Sequence, residues 1–266
     1  MQTTTYQALK IDHNTSNLKQ DVLVVEAPLQ ININDEPYTV VMRTPGNDKE
    51  LIRGLLYAED ILKKTDFYNY KIIEEKSGIN SIVNIEINNN DLGKGYLNKR
   101  TLLSVSSCGI CGKKELKDLH VEGEKLTTKN TFSSDVLQEM FAKMNEFQHT
   151  FKSSGGSHAA ALFDKQNSFL TIKEDIGRHN AVDKVIGDLL IKDYLKQAKY
   201  LLVSGRVSYE IVSKAFIAKI PIIVAVSACS SLAVDFAKEF GICLIGFSRN
   251  QKMTVYSNPS YLKNNN

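Results

Sequence analysis

Two hydrophobic periods alternate along the second half of the chain, and that alternation limits the folds open to it. Apolar runs of strand length lie at His158–Phe163, Phe169–Lys173, Tyr200–Val203, Ile222–Val226, Ile242–Phe247 and Met253–Tyr256. Between them come segments of helical spacing: Ala181, Val182, Val185, Ile186, Leu189 and Leu190, then Tyr209–Ala218, then Ser231–Phe240. A strand presents one face every second residue, a helix one stripe about every 3.6 residues. Such elements in alternation bury their apolar sides by layering helices on a mostly parallel sheet. The expected class is α/β.

The first half is richer in strands. Val22–Val25, Leu29–Ile33 and Tyr38–Met42 read as strands, with Asn34-Asp35 as a hairpin turn. Thr44-Pro45-Gly46-Asn47-Asp48 opens a helix carrying Leu51, Ile52, Leu55 and Leu56. Ile82, Ile85 and Ile87 mark another strand, and Thr101–Val105 a last one. Ser133 or Ser134 caps a helix whose Val136, Leu137, Met140, Phe141 and Met144 fill a core. The expected division is a polar, frayed tail over 1–20 and a strand-rich N-terminal subdomain over 21–105. A mobile loop and connection follows over 106–130, then an α/β layered domain over 131–266.

The 266 residues carry a net charge of +3, too balanced for broad electrostatic binding to nucleic acid. No apolar stretch approaches the roughly 20 residues of a membrane span. The polar N-terminus lacks an apolar signal core. These features point to a cytoplasmic protein that works without membrane or nucleic acid. In that reducing setting the four cysteines are catalytic, metal-binding or buried rather than a disulfide framework. Cys243, in an apolar run, reads as an inert core residue.

Cys108 and Cys111 differ. They lie in Ser106-Ser107-Cys108-Gly109-Ile110-Cys111-Gly112, followed by Lys113 and Lys114. Glycines permit an exposed loop, and the lysines favour thiolate, the nucleophilic form. A closed zinc site needs two more ligands, and beyond His120 no His pair or second Cys-x-x-Cys is at hand. A thioredoxin-like role needs the motif to open a helix, which the residues after Gly112 do poorly. Reactive thiols, a metal and dithiol–disulfide exchange all stay open on the motif alone.

A second group of residues falls at strand ends. Gly155, Gly156 and His158 precede one strand. Arg178 and His179, after Asp175, open a helix; Ser204 and Arg206 precede another. Ser227-Ala228-Cys229-Ser230-Ser231 precedes a third, and Phe247, Ser248, Arg249, Asn250, Gln251 and Lys252 follow the last parallel strand. Ligands of open α/β sheets bind beyond the carboxyl ends of strands, where helix N-termini attract anions. Three arginines there suit an extended anionic ligand such as a nucleotide or dinucleotide. None of these loops fits a Walker A or Gly-x-Gly-x-x-Gly signature. His158-Ala159-Ala160 lacks the Glu of a zinc deaminase, so no catalytic metal of its own is expected.

Several linked motifs resemble the formate dehydrogenase accessory sulfurtransferase family over roughly Val22 to Tyr256. They are Arg43-Thr44-Pro45-Gly46-Asn47-Asp48-Lys49-Glu50-Leu51, the Ser107–Gly112 run, Gly155–Ala160, Glu174–Lys184, Ser204–Ser208 and Ser230–Asp235. The resemblance implies that a cysteine desulfurase supplies sulfane sulfur as a persulfide on Cys108, with Cys111 assisting. The sulfur then passes to the molybdenum or tungsten bis-guanine-dinucleotide cofactor of formate dehydrogenase. It also implies a cofactor-binding segment at Phe247–Lys252, a second half similar to the cytidine-deaminase fold without its zinc, and a homodimer. One departure is Cys229, where the family more usually has Pro. The readings left beside this one are a cofactor-binding chaperone without sulfur transfer and a dithiol–disulfide oxidoreductase.

Overall fold

The computed structural model describes residues 2–13, 15–63, 69–93, 95, 123–127, 131–249 and 251–263. Asn34 and Asp35 both take left-handed φ, 53° and 67°. A two-residue hairpin turn of the primed type requires that, and Asn and Asp tolerate it. The turn joins β3 (Ala27–Ile33) to β4 (Glu36–Arg43), and β5 (Asn69–Lys76) and β6 (Ile79–Glu86) complete a four-stranded sheet in the order β4-β3-β6-β5. Helix α1 (Asp48–Ala58) closes it. Leu29, Ile31, Ile33, Val83 and Ile85 from the sheet and Ile52 and Leu56 from the helix share one core.

The second half is a sheet between two helical layers. Its helices are α2 (Ser134–Glu146), α3 (His149–Ser154), α4 (Arg178–Ile191), α5 (Tyr209–Ile217) and α6 (Ser231–Phe240). Its strands are β7 (His158–Asp164), β8 (Phe169–Asp175), β9 (Ala198–Val203), β10 (Ile222–Ala225), β11 (Cys243–Arg249) and β12 (Lys252–Ser257). Alternate strand residues separate the layers. Ala160, Leu162, Leu201, Val203, Ile223 and Leu244 pack toward α4, α5 and α6. Ala159, Ala161, Tyr200, Leu202, Val224 and Ile245 pack toward α2, where Leu137, Met140 and Met144 fill the gap. The α/β class holds.

Three expectations need correction. The sheet, in the order β12-β11-β10-β9-β7-β8, is mixed rather than mostly parallel. β9, β10 and β11 are parallel neighbours, whereas β7 pairs antiparallel with both β8 and β9, and β12 antiparallel with β11. Short hairpins join β7 to β8 and β11 to β12, and a hairpin can only return antiparallel; helical crossovers join the others. Residues 1–20 are not a frayed tail. β1 (Thr3–Asp12) and β2 (Thr15–Val24) pair over their whole length as a two-stranded ribbon, and the 20/21 boundary falls inside β2. Ser133 stands at the start of α2, but its side chain makes no capping hydrogen bond. The strand expected at Thr101–Val105 lies outside the described residues, as does nearly all of the 106–130 connection.

The two halves meet through α1 and α4. A methyl group on Gly54 would stand 1.9 Å from Asp183 O, and one on Gly187 1.9 Å from Glu50 O. Only the missing side chains let the two backbones touch. Among the described residues, no helix is long and apolar enough to cross a membrane.

Candidate functional site

Strand direction brings the suspected loops to one edge. β8, β9, β10 and β11 all end there, and β7, running the other way, begins there. The register pairs His158 with Asp175 and Ala160 with Val203. Loop 204–208 is tied to loop 227–231 by Val207 N donating to Ala228 O (3.0 Å) and Ser230 N to Val207 O (3.0 Å). Phe247 N donates to Ser227 O (3.0 Å). The Gly155, Arg178, Arg206 and Phe247 loops therefore lie along one rim, and α4, α5 and α6 all start from it, N-termini first.

Consecutive residues at the end of β8 build opposite sides of this rim. Glu174 accepts from Thr150 N, Phe151 N and Ser157 Oγ, each at 2.8 Å. Its carboxylate thereby holds the start of α3 and the far side of the Gly155-Gly156 turn. Asp175 Oδ1 accepts from Gly177 N (2.8 Å) and Asn180 Nδ2 (2.9 Å). Its Oδ2 accepts from Thr44 N (3.1 Å) and lies 2.7 Å from Lys184 Nζ. Lys184 also donates to Thr44 O (2.9 Å), and Ile176 N to Thr44 Oγ1 (3.0 Å). The turn that presents Arg178 and His179 is thus bolted to the end of β4. Sequence reasoning left Thr44, Glu174, Asn180 and Lys184 without a role. The one available signal was that each sits inside a family-resembling motif.

His158, Arg178 and Arg206 cluster around Gly205. A methyl group on Gly205 would stand 3.2 Å from His158 Nδ1 and 3.3 Å from Arg178 Cβ, so the glycine keeps the floor of the cluster open. Arg178 Nε is buried without a hydrogen-bond partner among the described residues. A buried guanidinium N–H left unmatched by protein fits an incoming acceptor. Burial, and then the guanidinium groups of Arg178 and Arg206 and the neighbouring His179, hold the His158 imidazole below its ordinary range, with Asp175 pulling the other way.

His179 faces away from that opening. Its Nε2 lies 3.0 Å from Ser208 Oγ and 3.3 Å from Glu210 Oε2. Ser208 Oγ spends its proton on Glu210 Oε2 at 2.6 Å, so the ring nitrogen is the donor. Burial pushes the Glu210 carboxyl up, but hydrogen bonds from His179 and Ser208 outweigh it and hold it below the usual range. Ser204 Oγ accepts from Ala159 N (2.9 Å) and extends the β7–β9 ladder.

At the far end, Phe247 carries φ 51° and is 40% exposed. A bulky residue in the left-handed region is an outlier, and the bulge there turns the ring outward. Ser248 is buried, whereas Arg249, Gln251 and Lys252 are exposed. Asn250 lies outside the described residues. Cys229 packs over Gly246, and burial raises its thiol to about 11; Cys243 is raised to about 12 by the same cause. Cys108 and Cys111 lie outside the described residues. Among the described residues, no group of three or more His, Cys, Asp or Glu is placed to hold a metal ion.

The FdhD/NarQ family model matches residues 24–263. The chain belongs to that family. Curated relatives named sulfur carrier protein FdhD include one from Saccharolobus solfataricus, 38% identical over 95% of each chain. Another, from Nocardia farcinica, is 40% identical over 92% of this chain and 89% of its own. The fold matches the crystal structure of a candidate formate dehydrogenase accessory protein from Desulfotalea psychrophila. The TM-score is 0.78 at 20% identity, over 99% of this chain and 100% of that one. Within this FdhD/NarQ member, the resembling motifs Arg43–Leu51 and Glu174–Lys184 are the two sides of the Thr44 junction.

Proposed function

We propose that this chain is a sulfur carrier in formate dehydrogenase maturation, and that the rim described above receives a phosphorylated dinucleotide cargo. The observation that carries this reading is the convergence of Arg178, Arg206 and Arg249 with three helix N-termini on one edge. It is joined by the family's sulfur-carrier relatives. The cargo is the molybdenum or tungsten bis-guanine-dinucleotide cofactor, with phosphates on the Gly- and Arg-bearing turns near Gly155, Gly156 and Gly205. Phe247 offers a flat face to a ring of the cargo.

In the proposed first step, the Cys108 thiolate attacks the outer sulfur of a persulfide on a cysteine desulfurase. The donor's S–S bond breaks, its thiolate leaves, and Cys108 keeps the sulfur as a persulfide. In the second, Cys111 attacks the inner sulfur of that persulfide and expels the outer one as sulfide toward the cargo metal. The resulting Cys108–Cys111 disulfide is reopened by a dithiol reductant. The protein acts as a cytoplasmic homodimer in this reading, with formate dehydrogenase as the destination of the cargo.

Incubation with a cysteine desulfurase and cysteine, followed by intact-mass measurement and peptide mapping, tests the first step. One added sulfur atom on Cys108 is expected, lost in Cys108→Ala together with formate dehydrogenase activity. Normal maturation by a Cys108→Ala/Cys111→Ala variant would replace sulfur transfer with a chaperone role. Efficient turnover of a generic disulfide would point instead to an oxidoreductase.

A further inference from the structure

The cluster around Gly205 contains one imidazole beside its two arginines, that of His158. His158 is the first residue of β7, half-buried. Charged and titratable groups face it from every neighbouring element: Arg178 and His179 on α4, Arg206 in the β9–α5 loop and Asp175 at the end of β8. Asp175 is already occupied by Lys184, Asn180, Gly177 and Thr44. His179 is turned toward Ser208 and Glu210. Burial first, and then the two arginines, therefore set what His158 experiences.

We propose that His158 is a proton-switched ligand of the cargo's phosphates, taking a proton from solvent as the anion settles between Arg178 and Arg206. The inference rests on the reading of this rim as an anion site. Its geometric basis is the open floor at Gly205, onto which the His158 ring and the Arg178 stem converge. Arg178 Nε, buried without a partner among the described residues, leaves one guanidinium donor of the cluster unmatched by protein. In the empty cluster, imidazolium would sit beside two guanidinium groups with reduced hydration, so the ring stays neutral. A bound phosphate cancels the neighbouring positive charge and supplies an acceptor for the ring. Imidazolium then becomes the favoured form, a third positive contact made only with cargo in place.

The sign follows from linkage. Bound cargo raises the proton affinity of His158, so binding takes up protons between the pKa of the free cluster and that of the complex. Affinity is greatest below the first, and is lost as pH rises through the second. A rise of about one pKa unit on binding corresponds to about tenfold weaker binding on the alkaline side.

Titration calorimetry of the full chain with GDP, near pH 7 in buffers of different ionisation enthalpy, measures the proton uptake. The GDP phosphate itself titrates near pH 6 (about 6), so the readout is the difference between wild type and His158→Gln. Greater uptake by wild type, and a His158 ring resonance whose titration moves to higher pH with saturating GDP, are the expected results. Equal uptake in the two proteins, or a ring titration unmoved by GDP, overturns the switch while leaving the anion site standing. No GDP binding by wild type at millimolar concentration would overturn the anion site and the switch together. A His158→Asn variant, with circular dichroism on both variants, separates loss of the ring from loss of fold.

Discussion

Asp175 Oδ2 and Lys184 Nζ stand 2.7 Å apart with both side chains fully shut from solvent, and both also hold the backbone of Thr44. This pair fastens the end of β4 to the turn that presents Arg178. A buried ion pair is justified only when its remaining hydrogen-bonding capacity is met, and here Gly177, Asn180 and Thr44 meet it.

Lys184→Met should therefore leave the Asp175 carboxylate buried beside amide donors alone. A loss of about 3–5 kcal/mol is expected from breaking one side of such a pair. Urea unfolding checks it. The Asp175→Asn/Lys184→Met double variant should lose less than the sum of the singles, because the two residues are in contact.

Gly187→Ala should destabilise the α1–α4 contact, since the new methyl would stand 1.9 Å from Glu50 O. Overpacking of this kind costs about 1–3 kcal/mol, read as a lower thermal midpoint. Gly78→Asn is the control. Its φ of 75° is left-handed, but nothing lies within 4 Å of the new Cβ, and Asn tolerates that region. A midpoint drop for Gly78→Asn as large as that for Gly187→Ala would contradict the packing argument.

Cys229 and Cys243 should resist alkylation in the native chain at pH 8. Burial raises their thiols to about 11 and about 12, so the reactive thiolate is scarce at that pH. Iodoacetamide labelling mapped by mass spectrometry should find both only after unfolding in urea. Labelling of Cys229 in the folded protein would reopen it as a reactive thiol of the rim.

Phe247→Asn should separate stability from binding. Asn accepts left-handed φ more readily than Phe, so the unfolding midpoint should hold or rise. Loss of an aromatic stacking face weakens base binding by about 1–3 kcal/mol, and GDP affinity should fall accordingly. A variant that binds GDP as well as wild type would remove Phe247 from the site.

Glu210→Gln should flatten the acid limb of the stability profile. The Glu210 carboxyl is held below its ordinary range in the folded chain. Its contribution is therefore complete above the unfolded value of about 4.3, and is lost as pH falls through the folded value. Urea midpoints from pH 6 down to pH 3 should decline less steeply in the variant than in wild type.

By itself the sequence determined the layered α/β class, because hydrophobic period is a local property, and Asn34-Asp35 or the helix at Leu51–Leu56 can be read from neighbouring residues. It also marked the strand-end loops and the Cys108/Cys111 motif, since residue type carries the chemistry. Only the tertiary structure decided what holds those loops. Glu174 and Asp175 are adjacent in the chain, yet strand alternation sends their carboxylates to opposite faces. One clasps the turn before β7, and the other a residue 131 positions away. The mixed sheet and the N-terminal ribbon escaped a local reading for the same reason. Strand direction follows from how a connection returns, and the ribbon is held by hydrogen-bonded pairing while its Leu9, Ile11 and Leu18 stay exposed, so no buried face marks it in the sequence. The same long-range pairing sets His158 against Arg178 and Arg206, making the anion cluster a property of the folded chain.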